Sequence, residues 1–185
     1  MNRVMRLVFA LRRQPHLTLA EFQDYWLNQH APLVASFATD LNILRYVQTH
    51  TIESRLNEAA QKARGKMEPH YDGVAELWWS SEADLTNQME SKEVKAAEAS
   101  AALIEDESKF VALPRSPLWL AYEYPQINPS PENISAKPKS NILRAFFPVR
   151  HHSKLSEEKA RHYWLTHHGP IVRSYGQVTK TLCYR

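Results

Sequence analysis

Glycine and cysteine are both scarce in this chain, with four glycines and a single cysteine, Cys183, among 185 residues. So few glycines furnish no glycine-rich phosphate loop, and neither a Gly-x-Ser-x-Gly turn nor a Cys-His arrangement occurs, which argues against nucleotide cofactors and nucleophilic hydrolysis. One cysteine excludes an internal disulfide framework and fits a reducing compartment. Long apolar runs are missing as well, none approaching the ~20 residues that a bilayer-crossing helix needs. Charge of one sign is not in excess. The formal balance is only +3, with Lys and Arg scattered among Asp and Glu, so a pI near 9.0 reads as a slightly basic solvated surface. The expectation is a cytoplasmic protein without nucleic-acid or membrane partners.

What the chain does contain is a second version of its own beginning. Laid over one another at a constant offset of 138, residues 3–47 and 141–185 share thirteen identities. They include Arg6 with Arg144, Phe9 with Phe147, Trp26 with Trp164, His30 with His168, Pro32 with Pro170 and Tyr46 with Tyr184. A period this long is duplication of a domain and not a solenoid repeat. Residues 3–12 could pass for a targeting segment, but their counterpart lies mid-chain, so a strand is expected in both places. The second version has 46 residues, Ser140 to Arg185, and is expected to be a partial copy whose remainder is missing. Three parts follow: a domain over 1–124, a linker over 125–140 carrying Pro125, Pro129, Pro131 and Pro138, and a partial repeat over 141–185.

Periodicity gives the first part an α+β order. Val4 to Leu11 alternates as a strand, with Met5, Leu7, Phe9 and Leu11 on one face. Thr18-Leu19-Ala20-Glu21 is a capping box opening a helix through Phe22, Trp26 and His30. Pro32 removes an N–H and clashes with the carbonyl of Asn28, so the helix should kink or restart beside His30. Leu44 to Thr51 is a second strand, with Tyr46, Gln48 and His50 on one side. A short helix over 53–64, closed by Gly65, precedes a third strand over 71–79, where Glu76 and Trp78 alternate against Leu77 and Trp79. Asp84 to Phe110 is helical, broken near 101–106, and Pro117 to Tyr124 makes a fourth strand. The order β-α-β-β-α-β predicts a ferredoxin-like four-stranded antiparallel sheet with helices on one face. Its other face needs cover, so a homodimer or an intrachain pseudo-dimer is expected.

The run Arg13-Gln14-Pro15-His16-Leu17-Thr18, then Phe22, Tyr25-Trp26, His30-Ala31-Pro32-Leu33-Val34 and Arg45-Tyr46-Val47-Gln48-Thr49-His50 resembles the EthD domain of the dimeric α+β barrel superfamily. Tyr71 to Ser80, Asp106-Glu107 and Phe110 continue the resemblance. Residues 141–185 look like the first third of another such domain. The resemblance implies a pocket between sheet and helices and the pairing of two sheets into a barrel. It also implies relatives that are cofactor-free isomerases, cyclases, decarboxylases, dehydratases or monooxygenases acting on lactones, polyketides or phenolic aromatics, beside members with no assigned activity. The family's name comes from a role accessory to ether degradation.

Within this frame His30 is either a proton carrier at neutral pH or a cap for the carbonyls freed around Pro32. His50 is a second acid or base, or a polar strand end. Tyr46 either donates to a developing enolate or packs. Trp26, Gln48, Glu76 and Trp78 are candidate ligand contacts, with core packing the alternative for Trp26 and an ion pair to Arg6 the alternative for Glu76. His168, Trp164 and Tyr184 are the second-copy equivalents. His151-His152 and His167-His168 lack partners at ligand spacing, so neither metal nor cofactor is expected. Two functions remain open: a cofactor-independent enzyme moving protons on a small apolar, carbonyl-bearing or phenolic ligand, and a non-catalytic binding or accessory barrel. Truncating either His30 or His50 should cost only about 1 to 2 kcal/mol of stability if both sit at element ends.

Overall fold

The computed structural model describes residues 4–65, 67–90, 94–124, 126–127, 136–137 and 140–184. The chain divides into two compact units, Met1–Tyr122 and Glu123–Arg185.

The first unit carries the sheet. Its strands β1 (Met5–Leu11), β2 (Arg45–His50), β3 (Gly73–Trp79) and β4 (Leu118–Ala121) lie in the order β2-β3-β1-β4, every pair antiparallel. The register places Leu7 opposite Leu77 and Tyr46 opposite Leu77, so these side chains share one face with Phe9, Leu11 and Ala75. Helices cover that face. Helix α1 (Leu19–Tyr25) begins at Thr18, whose hydroxyl accepts from the Glu21 amide while the Glu21 carboxylate accepts from the Thr18 amide. Phe22, Trp26 and His30 then enter the core with Phe110 at their centre.

Pro32 acts on the helix as its missing N–H requires, though with a π-turn in place of a sharp kink. Trp26–His30 forms a π-helical turn in which the Ala31 N–H reaches back to the Trp26 carbonyl, and α2 (Ala31–Ser36) restarts with the proline in its first turn. Asn42 then takes a left-handed conformation at φ 50°, one of the few that asparagine tolerates, and turns the chain into β2.

Helix α3 (Arg55–Lys62) has no buried residue and ends before Gly65 at φ +84°. Helices α4 (Glu82–Glu90) and α5 (Val94–Phe110) follow. The expected break at 101–106 does not occur. Ala96, Ala99, Leu103, Asp106 and Phe110 recur three and four apart and pack as one stripe, and packing along that stripe keeps α5 continuous.

The opposite sheet face holds Arg6, Val8, Glu76, Trp78 and Arg45, with Arg6 and Glu76 paired at 3.1 Å and both arginines over the Trp78 ring. Trp79 turns the other way, donating from its indole to the Leu41 carbonyl at 2.9 Å. No described helix is long and apolar enough to cross a membrane.

The second unit repeats the first locally. Helix α6 (Glu157–Tyr163), a π-turn (Trp164–His168) and α7 (Gly169–Ser174) fall at the offset of 138 from α1, its π-turn and α2, and Lys180 matches Asn42 with φ 54°. Ser156 caps α6 as Thr18 caps α1. The strand expected over 141–150 is not formed. In the first unit β1 is held by ladders to β3 and β4, and the described residues of the second unit offer 141–150 no such pair of strands. Beyond α7 the described residues form a single bridge, Tyr184 with Ile127. The four linker prolines lie outside the described residues.

Gly73 fixes the fit between β3 and the π-turn, since a Cβ there would lie 2.5 Å from Cζ3 of Trp26 and 3.0 Å from the Thr49 carbonyl. Gly73→Ala should therefore destabilise by about 1 to 3 kcal/mol through overpacking, read as a lower midpoint in denaturant unfolding.

Candidate functional site

Three elements meet on the helix-covered face of β2. The π-turn contributes Trp26 and His30, β2 contributes Tyr46, Gln48 and His50, and α5 contributes Asp106 and Glu107. Two short hydrogen-bonded networks result.

The first runs along β2. The Gln48 amide nitrogen donates to the Trp26 carbonyl at 2.8 Å and to the Tyr46 hydroxyl oxygen at 3.0 Å. A flipped amide would set oxygen against that carbonyl, so the orientation is fixed. The Gln48 oxygen then faces His50 Nε2 at 2.9 Å and must accept from it, which leaves Nδ1 of His50 without a proton. His50 lies flat on the Trp26 indole, centroids 4.6 Å apart at 14°. The indole N–H donates to the same Tyr46 oxygen at 2.9 Å. Both acceptor positions of Tyr46 are thereby filled. Its own O–H must point to an acceptor, and the described residues supply none. Burial pushes the Tyr46 phenol up to about 12, so the proton stays on. Burial likewise holds the His50 imidazole below its ordinary value.

The second network centres on Asp106. Its carboxylate accepts from the Tyr25 hydroxyl at 2.7 Å and from Lys109 at 3.1 Å, and meets His30 Nδ1 at 2.9 Å. Burial alone would raise this carboxyl, yet the three donors together keep it lowered. An ionised Asp106 fixes the His30 proton on Nδ1 and bares Nε2. Burial holds the imidazole below its ordinary value despite the opposing pull of Asp106. His30 therefore does not cap the turn; its ring reaches across to α5, packed on Phe110 at 5.1 Å. Glu107 Oε1 lies 4.0 Å from His30 Nε2. Burial, and next the Asp106 charge, push Glu107 up to about 7.

Of the residues singled out from sequence, His30, Trp26, Tyr46, Gln48 and His50 come together. Glu76 and Trp78 lie on the opposite sheet face with Arg6, as the register requires. In the second unit Trp164 packs on His168 with centroids 4.4 Å apart, and Tyr184 lies at the bridge to Ile127. Trp164 is 37% exposed where Trp26 is 1%. Asp106 and Glu107 escaped the sequence reading as site residues, although Asp106 falls on the apolar stripe of α5, the signal that marks a buried carboxylate. No group of three or more His, Cys, Asp or Glu suited to a metal occurs among the described residues. Two open clefts, of about 340 and 430 Å³, are lined by other residues, including Asn42 and Ser80 in one and Leu155 and His162 in the other.

Sheet order, helix placement and this cluster define a ferredoxin-like α+β domain with a buried histidine–carboxylate site. The chain matches the EthD domain over residues 14–114 and belongs to that family. It is similar to an EthD family protein of Bacillus halodurans C-125, with 19% identity, 65% of this chain and 99% of that one covered, and a TM-score of 0.44. A dimeric ferredoxin-like protein of unknown function from Bacteroides fragilis NCTC 9343 aligns at 4% identity, over 65% and 96% of the chains, TM-score 0.41. SnoaB, a cofactor-independent oxygenase from Streptomyces nogalater, aligns at 15% identity over 66% and 94%, TM-score 0.36. No curated protein matches the chain.

The two histidines should differ in stability cost, contrary to the equal cost expected from their places in the sequence. His30→Ala removes a buried ring and strands Asp106, and should cost about 2 to 4 kcal/mol, whereas half-buried His50→Ala should cost about 1, both by denaturant unfolding.

The pH dependence has a definite sign. Glu107 holds its proton more tightly folded than unfolded, so its contribution to stability is lost as pH rises from about 4.5 through about 7. The depressed His30 and His50 act the other way, their contribution present above 6.5 and lost as pH falls below it. Glu107→Gln should therefore gain stability relative to the parent chain between about pH 5 and about pH 7.5, measured by chemical unfolding at both.

Proposed function

We propose that this EthD-family protein binds a small apolar carbonyl-bearing or phenolic compound and acts on it without a cofactor. The reaction would be of isomerase, lyase/decarboxylase or monooxygenase type, with protons moved by His30, His50 and Tyr46. The observation that carries this reading is the Tyr46 hydroxyl, whose oxygen already accepts from Trp26 and Gln48. The remaining O–H is a buried donor, kept protonated, that suits a carbonyl or phenolate oxygen. Beside it His50 presents a bare Nδ1 as a base, flat against Trp26. One observation favours a non-catalytic or accessory barrel in a degradation or secondary-metabolism pathway instead: His30 is packed against Phe110 and committed to Asp106.

Titration with para-nitrophenol tests the donor. Tyr46→Phe should weaken binding about five-fold, the equivalent of about 1 kcal/mol for one neutral hydrogen bond. Unchanged affinity in Tyr46→Phe would remove the hydroxyl from the site. Identification of compounds that co-purify from the native host would supply the substrate, on which His50→Ala should abolish turnover without loss of cooperative unfolding.

The partial second repeat over 141–185 and a dimeric state belong to the same proposal. Phe147 is 52% exposed where its counterpart Phe9 is 7%, and such side chains gain most from burial between copies. Light scattering should show a dimer or larger species for the full chain, with altered size or stability once the chain is shortened to end near Pro125.

A further inference from the structure

The site holds a group that the proton-transfer reading does not yet use. Glu107 is adjacent in sequence to Asp106 but serves differently. Asp106 has three donors on its two oxygens, whereas the Glu107 carboxyl accepts no hydrogen bond from any described residue and lies 4.0 Å from Nε2 of His30. That nitrogen carries the lone pair left bare when Nδ1 keeps its proton for Asp106. Each of the two therefore has one unused capacity, and 4.0 Å separates them.

Burial separates their roles. The His30 side chain is 5% exposed and Glu107 22%. A ligand approaching this corner meets the carboxyl before the imidazole. We propose that Asp106, His30 and Glu107 form a proton-sharing relay, in which Glu107 is the end that meets the ligand and His30 is its positioning and proton-holding partner. The inference rests on the proton-transfer reading above and reassigns its acid–base group.

The surroundings fit a shared proton. Facing Glu107 are His30 from the π-turn, Asp106 from its own helix and Tyr46 from β2, whose phenol is pushed up in part by the Glu107 charge. Lys109 and Tyr25, from α5 and α1, are engaged by Asp106. Burial, and next the Asp106 charge, push the Glu107 carboxyl up to about 7, within reach of neutrality, and no cation contacts it among the described residues. The chemistry balances without an oxidant. The Glu107 carboxylate takes a proton from carbon beside a carbonyl, the C–H pair becomes a C=C bond, and the carbonyl pair moves to oxygen under the Tyr46 O–H. Return of the same proton to a conjugated carbon completes an isomerisation. Between the two steps the proton resides on Glu107 or on Nε2 of His30.

The test is substrate-independent in its first arm. Nitrogen and carboxyl-carbon NMR of the full chain should show His30 Nε2 and Glu107 moving with one common midpoint near neutral pH, and Glu107→Gln should erase that inflection from His30. A His30 inflection unchanged in Glu107→Gln, or a Glu107 carboxyl titrating in the ordinary carboxylate range, overturns the relay. The second arm uses nitrobenzisoxazole, from which a base removes the ring C–H as the N–O bond breaks to give cyano-nitrophenolate. Its breakdown should rise with the same midpoint and fall about a hundredfold in Glu107→Gln. Full breakdown in that variant overturns Glu107 as the ligand-facing base. A common midpoint with no breakdown above buffer supports the relay and overturns the catalytic reading alone.

Discussion

A proline that cannot donate a hydrogen bond determines most of what surrounds it. Pro32 leaves the helix without its ordinary i to i−4 bond, and the chain answers with a π-turn in which Ala31 reaches Trp26. The Trp26 carbonyl also receives the amide of Gln48, and that one bond fixes which end of the amide faces His50. The His50 tautomer follows from it, and together with the indole bond the same amide fills the acceptor positions of Tyr46. The same turn delivers His30 to Asp106, 76 residues further along the chain.

The sequence showed the scaffold well and the chemistry only by half. Alternation along 5–11, 45–50 and 73–79 gave the strands and told Glu76 from Leu77, because side chains on a pleated strand must alternate. It could not tell which face the helices would cover, and so Glu76 and Trp78 entered the candidate list beside Tyr46. His30 was visible through its proline. Asp106 and Glu107 were not visible as a site, since two acids in a helix rich in alanine and glutamate resemble a solvated surface. The helix break expected at 101–106 has the same origin: local composition suggests it, and the continuous stripe from Ala96 to Phe110 overrides it.

The second unit separates what local sequence can do from what packing must add. Capping by Ser156, the π-turn at 164–168 and the left-handed residue at Lys180 all recur, the last in a residue type that pays about 1 to 2 kcal/mol for that conformation. These features need only their neighbours in the chain. A strand over 141–150 needs partners. Residues 156–180 thus repeat the local frame around a histidine, which neighbours in the chain suffice to build.

The flat contact between His50 and Trp26 has an optical consequence. An imidazole lying on an indole face is an electron acceptor once it gains a proton, and the indole is a donor whose excited state it drains. Trp26 is almost fully buried and shares its N–H with Tyr46, so its emission senses both the charge on the ring above it and any change at the phenol beside it. The domain carries, in its own backbone-held tryptophan, a reporter of the protonation state of its site.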